Sequence, residues 1–113
     1  MIEEIKTIFK DFKVNDVSIP VEHLKYVGSS ETYITFTFLD EDPALSGNDE
    51  TLYSVVPIDV DIYSKSNYLD ILKEVKKLME QNDWIWTGDS TEMYEEDTGF
   101  HHRTSSFEKE GMV

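Results

Sequence analysis

The first segment of the chain places apolar side chains three and four positions apart. They are Ile2, Ile5, Ile8, Phe9 and Phe12. Side chains at this spacing lie on one face of an α-helix. Acidic residues open the segment and lysines close it, which complements the helix dipole. The pattern predicts a helix over residues 1–13, and the following Ile19-Pro20-Val21 is predicted to be extended because proline disfavours helical angles at the residue before it.

Two later segments alternate apolar and polar residues, the period of a strand with one buried face. Residues 33–38 read YITFTF, and residues 52–64 carry their apolar side chains at nearly every second position. Because Pro57 has no amide hydrogen to donate, the second strand is predicted to lie at a sheet edge or to carry a bulge there. We expect the two strands to pair antiparallel across the acidic stretch between them.

The most regular helical pattern covers residues 67–82. Its apolar positions are Tyr68, Ile71, Leu72, Val75, Leu78 and Met79. Asn67 is the predicted N-cap, with Asp70 three residues later as a weak capping box. Shorter segments predict strands at residues 84–88 and 100–107, and residues 109–113 are expected to fray.

The predicted order of elements is α-β-β-α-β-β. This order is typical of an α+β fold in which a small, mostly antiparallel four-stranded sheet carries two main helices on one face. A chain of 113 residues fits one hydrophobic core, so we predict a single domain over residues 1–113.

Charge and composition narrow the classes of function. The net charge of −14 repels nucleic-acid phosphate, so direct binding of DNA or RNA is not expected. The chain has no cysteine, which excludes disulfides and thiolate chemistry. No apolar run is long enough for a membrane span, and the acidic start differs from a signal peptide. We expect a protein that folds in a cytoplasm, as a soluble protein, a mimic of nucleic acid or the lining of a passage for nucleic acid.

Few residues have the spacing of a catalytic or metal site. Asp59 and Asp61 project to one face of their strand, where two carboxylates can hold a divalent cation, but such a pair is more often the solvated face of a half-buried strand. His101 and His102 point to opposite faces of a strand and so cannot share a metal. The chain has neither an HExxH nor a GxSxG motif. We expect no enzymatic activity, no metal and no cofactor.

A composition unlike the rest of the chain marks residues 94–102, YEEDTGFHH. Asp97-Thr98-Gly99 is predicted to be a turn in which Gly99 supplies a positive φ. On the strand over residues 52–64, the face with Tyr53, Val55 and Tyr63 is too apolar for plain solvent, which favours contact with a neighbouring subunit. The pair Trp84 and Trp86 is typical of a core or a subunit interface.

Four phrases in a fixed order resemble the small tail-completion proteins (tail terminators, or tail-to-head joining proteins) of long-tailed bacteriophages and prophages. They are Ile19-Pro20-Val21, the YITF strand at residues 33–36, DIYSK at residues 61–65 leading into a helix, and YEEDTGFHH. The resemblance spans about residues 1–108. The polar segment HHRTSSF departs from the family pattern.

The resemblance implies a non-enzymatic virion protein at the head-tail junction. Such proteins form a ring, typically a hexamer, that caps the tail tube, so the implied partners are further copies of the chain, the tail tube protein and a head-tail connector protein. The candidate acids lining a channel for DNA are Asp40, Glu41, Asp42, Asp49, Glu50, Asp59 and Asp61. The candidate subunit or tube contacts are Tyr53, Val55, Tyr63, Tyr94, Glu95, Glu96, Asp97, His101 and Arg103.

Three alternatives stay open at the level of sequence. A head-completion or connector protein also forms a ring but binds the portal side. An acidic DNA mimic needs its carboxylates in phosphate-like rows, whereas here they cluster in loops and alternate with apolar positions. A small metal-dependent enzyme using Asp59 and Asp61 is the third.

Overall fold

The computed structural model describes residues 2–39 and 53–112, which form two helices and eight strands. The helices are α1 (Ile2–Ile8) and α2 (Leu69–Gln81). The strands are β1 (Lys13–Val14), β2 (Val17–Ser18), β3 (Val21–His23), β4 (Thr32–Phe38), β5 (Tyr53–Ser64), β6 (Ile85–Asp89), β7 (Met93–Glu95) and β8 (Phe100–Met112). The α+β class and the mostly antiparallel sheet are confirmed.

The prediction of four strands is wrong. The main sheet has six, in the order β3-β4-β5-β8-β6 with β7 also paired to β8, and β1 with β2 forms a separate hairpin. Only the β3–β4 pair is parallel. The added strands are two or three residues long, too short for an alternating pattern to show in the sequence.

The antiparallel pairing of β4 with β5 is confirmed, with a register from Thr32↔Ser64 to Phe38↔Ile58. The edge predicted at Pro57 is present on one side of β5, because the last β4–β5 pair is Phe38↔Ile58, while the other side pairs with β8 through Pro57↔Glu108. The carbonyl of Pro57 accepts the Leu39 amide at 3.0 Å. In an antiparallel ladder the amide and carbonyl of one residue face the same neighbour. The missing amide hydrogen therefore faces the end of β4 and leaves the ladder to β8 intact.

Helix α1 ends at Ile8, well before the predicted residue 13. A turn follows in which Asp11 has a φ of 55°, and this turn brings Phe9 and Phe12 into edge-to-face contact at 5.3 Å. Both rings are buried, so tertiary packing overrides the helical spacing. The β1–β2 hairpin then turns through Asn15 and Asp16, whose φ values of 53° and 65° fit the two-residue turn that matches strand twist.

Helix α2 begins two residues later than predicted. The side-chain oxygen of Asn67 accepts the Leu69 amide at 2.9 Å, so it satisfies an otherwise unpaired amide at the helix start. The carboxylate of Asp70 instead accepts from the Asn15 side chain at 3.1 Å. The predicted capping box is therefore absent, and its acid joins α2 to the β1–β2 hairpin.

The core lies between both helices and one face of the sheet, as predicted. Its fully buried members include Ile5 of α1, Val75 and Met79 of α2, and Phe36, Ile58, Val60, Ile62 and Phe107 of the sheet. The opposite face carries the alternate side chains of β4, β5 and β8, and no helix of the described residues covers it. We call this surface the open face; it comprises Glu22, Tyr33, Thr35, Thr37, Val55, Asp59, Asp61, Tyr63, His102, Thr104, Ser106 and Glu108.

Candidate functional site: the open face of the sheet

A row of stacked aromatic rings crosses one end of the open face. Tyr33 stacks on Tyr63 with 4.6 Å between ring centroids, and Tyr63 stacks on His102 at 4.2 Å. These three residues are register partners on β4, β5 and β8, so the pairing of the strands itself builds the row. Tyr26 extends it by stacking on Tyr33 at 4.6 Å, and Phe100 meets Tyr33 edge-on at 5.4 Å.

Two aspartates of β5 follow the aromatic row along the same face. One oxygen of Asp61 bonds the Nε2 of His102 at 3.0 Å and also accepts the Thr104 hydroxyl. One oxygen of Asp59 accepts the Ser106 hydroxyl at 2.7 Å. These contacts hold both carboxylates in fixed positions, and they use a single oxygen of each.

The hydroxyls of Tyr33 and Tyr63 lie in a partly buried environment with carboxylates nearby. Burial, with the nearby Asp61 carboxylate, Tyr33 and Glu95 as lesser causes, raises the pKa of Tyr63 to about 12. Burial and the Glu95 carboxylate also raise the pKa of Tyr33. Both hydroxyls therefore stay protonated at neutral pH and can donate hydrogen bonds.

Lys76 of α2 and the cationic residues Arg103 and Lys109 of β8 lie on the helix side of the sheet. Lys76 pairs with Asp89 at 2.8 Å and Lys109 pairs with Glu4 at 3.2 Å. The guanidinium of Arg103 donates to the Ser90 carbonyl and the Tyr68 hydroxyl. Within residues 2–39 and 53–112, Asp59 and Asp61 form no ion pair with lysine or arginine.

Some of the acids predicted to line a channel lie on the same surface as some of the residues predicted to be contacts. Asp40, Glu41, Asp42, Asp49 and Glu50 lie outside the described residues. Asp59 and Asp61, predicted to line a channel, share the open face with Tyr63 and Val55, predicted to be contacts. Tyr53 begins β5. A single surface therefore carries residues for which the sequence analysis predicts two different roles.

The other predicted contacts surround the β7–β8 hairpin. Its turn has Gly99 at a φ of 78°, as predicted, and Tyr94, Glu95, Glu96 and Asp97 are exposed on and beside it. The side chains of His101 and His102 point to opposite faces of β8. The Nδ1 of His101 lies 3.7 Å from the Glu92 carboxylate, and its ring centroid lies 4.9 Å from that of Tyr94. His101 and Arg103 thus belong to the helix side and not to the open face.

Sequence reasoning missed a polar cluster centred on Asp89. One oxygen of Asp89 accepts from Trp86 at 2.9 Å and from Ser105 at 2.8 Å, while the other pairs with Lys76. The Lys76 ammonium also lies 4.4 Å from the centre of the Trp86 ring. The cluster joins α2, β6 and β8. Of the two tryptophans, Trp86 belongs to the cluster and is 45% exposed, whereas Trp84 is 2% exposed and lies in the core.

This cluster predicts a specific loss of stability in acid. Burial alone would raise the pKa of Asp89, but the hydrogen bonds from Lys76, Trp86 and Ser105 lower it below its ordinary value. A depressed native pKa stabilises the fold above the unfolded value of about 3.9, and this contribution is lost as the pH falls through the native value. We expect Asp89→Asn to cost about 1–3 kcal/mol at pH 7 and to lose less stability than the wild type between pH 4 and pH 2.

The measurement is urea unfolding at a series of pH values. Asp83→Asn is the matched control, because Asp83 is exposed and its substitution removes the same charge outside the cluster. An Asp89→Asn variant that loses stability in acid as steeply as the wild type and Asp83→Asn would contradict the assignment.

Comparison with known proteins returns no match, either to a protein-family model or to a curated protein. The described residues contain no group of three His, Cys, Asp or Glu side chains placed to hold a metal ion. No helix in the same two ranges is long and apolar enough to cross a membrane.

Proposed function

We propose that this protein is a structural virion subunit that assembles into a ring, caps the tail tube of a long-tailed phage and joins it to the head. The resemblance stated above supplies the class of protein. The structural observation that supports it is a two-stranded extension of the sheet, formed by residues 53–56 of β5 and 109–112 of β8. We call this extension the ribbon.

The ribbon has backbone groups to offer on both of its edges. Tyr53 pairs with Met112 and Val56 with Lys109, so the two strands satisfy each other. Among the described residues, the β4 partners of β5 end with Phe38↔Ile58 and the β6 partners of β8 end with Ile85↔Glu108. Beyond those pairs, no described residue outside the ribbon pairs with residues 53–56 or 109–112 on their outer edges, and such an edge is a template for pairing with another chain.

Pairing of ribbons between copies is a heterologous contact, since two different edges meet. Contacts of this type close into a ring when the rotation between subunits divides a full turn. A ring of this chain keeps its strong negative charge around the bore, which repels the phosphates of passing DNA. The acidic residues of the stretch 40–50 remain the candidates for that lining.

The ribbon gives a test that leaves the fold in place. The Pro57 carbonyl points toward β4, so the amide of Val55, two residues earlier, points to the same outer edge. Val55→Pro removes this donor without touching the ladder to β8. We expect the wild type to form rings, with a mass by light scattering of about six chains in keeping with the family resemblance, and Val55→Pro to be monomeric.

Val55→Ala is the control, because it shortens the side chain and keeps the amide. Negative-stain images of tail tubes with added protein complete the test, and we expect caps with the wild type and Val55→Ala only. A wild-type chain that is monomeric and leaves tubes uncapped would contradict the proposal. Binding to portal rings but not to tubes would favour the connector, and tight binding of a monomer to a DNA-binding enzyme would favour the mimic.

A further inference from the structure

We propose that the open face docks an extended cationic segment of a partner protein, with Asp59 and Asp61 as its anchoring acceptors. This inference goes beyond the proposed ring, because the face belongs to a single chain and its geometry does not depend on contacts between ribbons. It commits to a protein ligand that carries arginine or lysine side chains at alternate positions.

Charge complementarity is the first support. The acids of the open face are Asp59 and Asp61 on β5, with Glu22 and Glu108 aligned beside them on β3 and β8. Both lysine–carboxylate pairs of the described residues lie on the other side of the sheet. Lys65 is at the aromatic end, where its ammonium lies 5.1 Å from the Phe100 ring centre. Asp59 forms no ion pair within the described residues, and the partner of Asp61 is His102 at 3.0 Å, which is cationic only when it is protonated. A cationic ligand therefore finds carboxylates that no lysine or arginine of the described residues has neutralised.

The rigidity of the face is the second support. A sheet face that only meets solvent ordinarily carries flexible charged side chains, whereas here the rings of Tyr33, Tyr63 and His102 are stacked and the aspartates are held by hydroxyls. Tyrosine is enriched in protein interfaces. Because these side chains are already ordered, little conformational entropy remains to be lost when a partner covers them.

The spacing of the acceptors indicates the form of the ligand. Asp59 and Asp61 are two residues apart on β5, a separation of about 6.6–6.8 Å along a strand. Side chains at positions i and i+2 of an extended segment have the same separation and also point to one side. Within residues 2–39 and 53–112 the side-chain bonds of Asp59 and Asp61 use one oxygen of each carboxylate, and a second oxygen can accept charge-assisted hydrogen bonds from arginine.

Two other occupants fit the face less well. A second copy docking through its own open face would place the same carboxylates opposite each other, and like charges in close apposition are repulsive. Nucleic acid is disfavoured by the same sign of charge. A basic protein segment is the occupant that the described charges favour.

The test is an NMR titration of the full ¹⁵N-labelled chain at low salt. The probe is an acetylated and amidated pentapeptide in which arginine alternates with alanine, and its control replaces each arginine by citrulline, which has nearly the same shape and no charge. We expect saturable shifts of amides around Asp59, Asp61 and Tyr63 with the arginine peptide, and none of that size with the citrulline peptide.

Matched variants separate docking from general attraction to an acidic chain. Asp59→Asn/Asp61→Asn should weaken binding roughly tenfold, since two charged acceptors are lost. Glu3→Gln/Glu80→Gln removes the same charge from exposed positions of α1 and α2 and should leave the affinity within about twofold.

Several outcomes overturn the inference: no saturable binding, equal losses in the two double variants, or shifts confined to the helix side. Concentration-dependent shifts of the open face without peptide would identify a second copy as the occupant and also overturn it. The titration is repeated with Val55→Pro, and unchanged binding there would show that docking holds even if the ring does not form.

Discussion

Phe36→Ala is expected to destabilise the fold by about 3–5 kcal/mol, the range for removing a fully buried aromatic side chain. Phe36 is fully buried on the helix face of β4, where it lies opposite Val60 in the sheet. Its ring lies 5.1 Å from that of His23 and 6.0 Å from that of Phe38. The substitution leaves a cavity that strands on both sides line and that cannot collapse without moving the sheet.

Urea unfolding followed by tryptophan fluorescence measures this loss, because Trp84 reports on the same core. Leu69→Ala is the matched control, because it also truncates an apolar side chain to alanine. Since Leu69 is 56% exposed, we expect its free energy of unfolding to stay within about 0.5 kcal/mol of the wild type. Similar losses in the two variants would mean that Phe36 does not lie in the core, and the assignment of the two sheet faces would fail.

Tyr63→Ala is expected to have the second largest effect, a loss of about 2–4 kcal/mol. The substitution removes two stacked contacts of the aromatic row, to Tyr33 and to His102, each worth about 0.5–1.5 kcal/mol beyond buried area. The remainder comes from the apolar surface of a partly buried ring. The same unfolding experiment measures the loss at neutral pH, where the Tyr63 hydroxyl is protonated.

Tyr63→Phe is the control for this prediction, because it keeps the ring and removes only the hydroxyl. We expect it to stay within about 1 kcal/mol of the wild type. The wild type, Tyr63→Phe and Tyr63→Ala should then fall in that order of stability. A Tyr63→Ala variant as stable as Tyr63→Phe would show that the row contributes no packing energy. The rigidity of the open face would then no longer support the docking of a partner.

The long periodic elements of this fold are readable from the sequence, because each buries one face. The alternation at residues 33–38 and 52–64 predicts β4, β5 and their pairing, and the spacing of apolar residues predicts α2. The end of α1 is not readable, since Phe9 and Phe12 keep helical spacing while a positive φ at Asp11 turns the chain. Packing against distant residues, which periodicity does not encode, decides that boundary.

The open face could be predicted only in part. Alternation places Asp59, Asp61 and Tyr63 on one side of β5, but their neighbours depend on register, and the register between β5 and β8 joins residues about forty positions apart. His102 therefore appears in the sequence as half of a histidine pair and in the fold as a stacked ring bound to Asp61. Asp89 gives no sequence signal, because its three partners come from α2, β6 and β8.

The placement of β8 has a consequence for folding. This strand follows β5, β6 and β7 in the chain, yet it lies between β5 and β6 in the sheet and pairs with all three. Closing the loop between β5 and β8 costs chain entropy before the new contacts repay it, so the sheet is completed only when β8 docks.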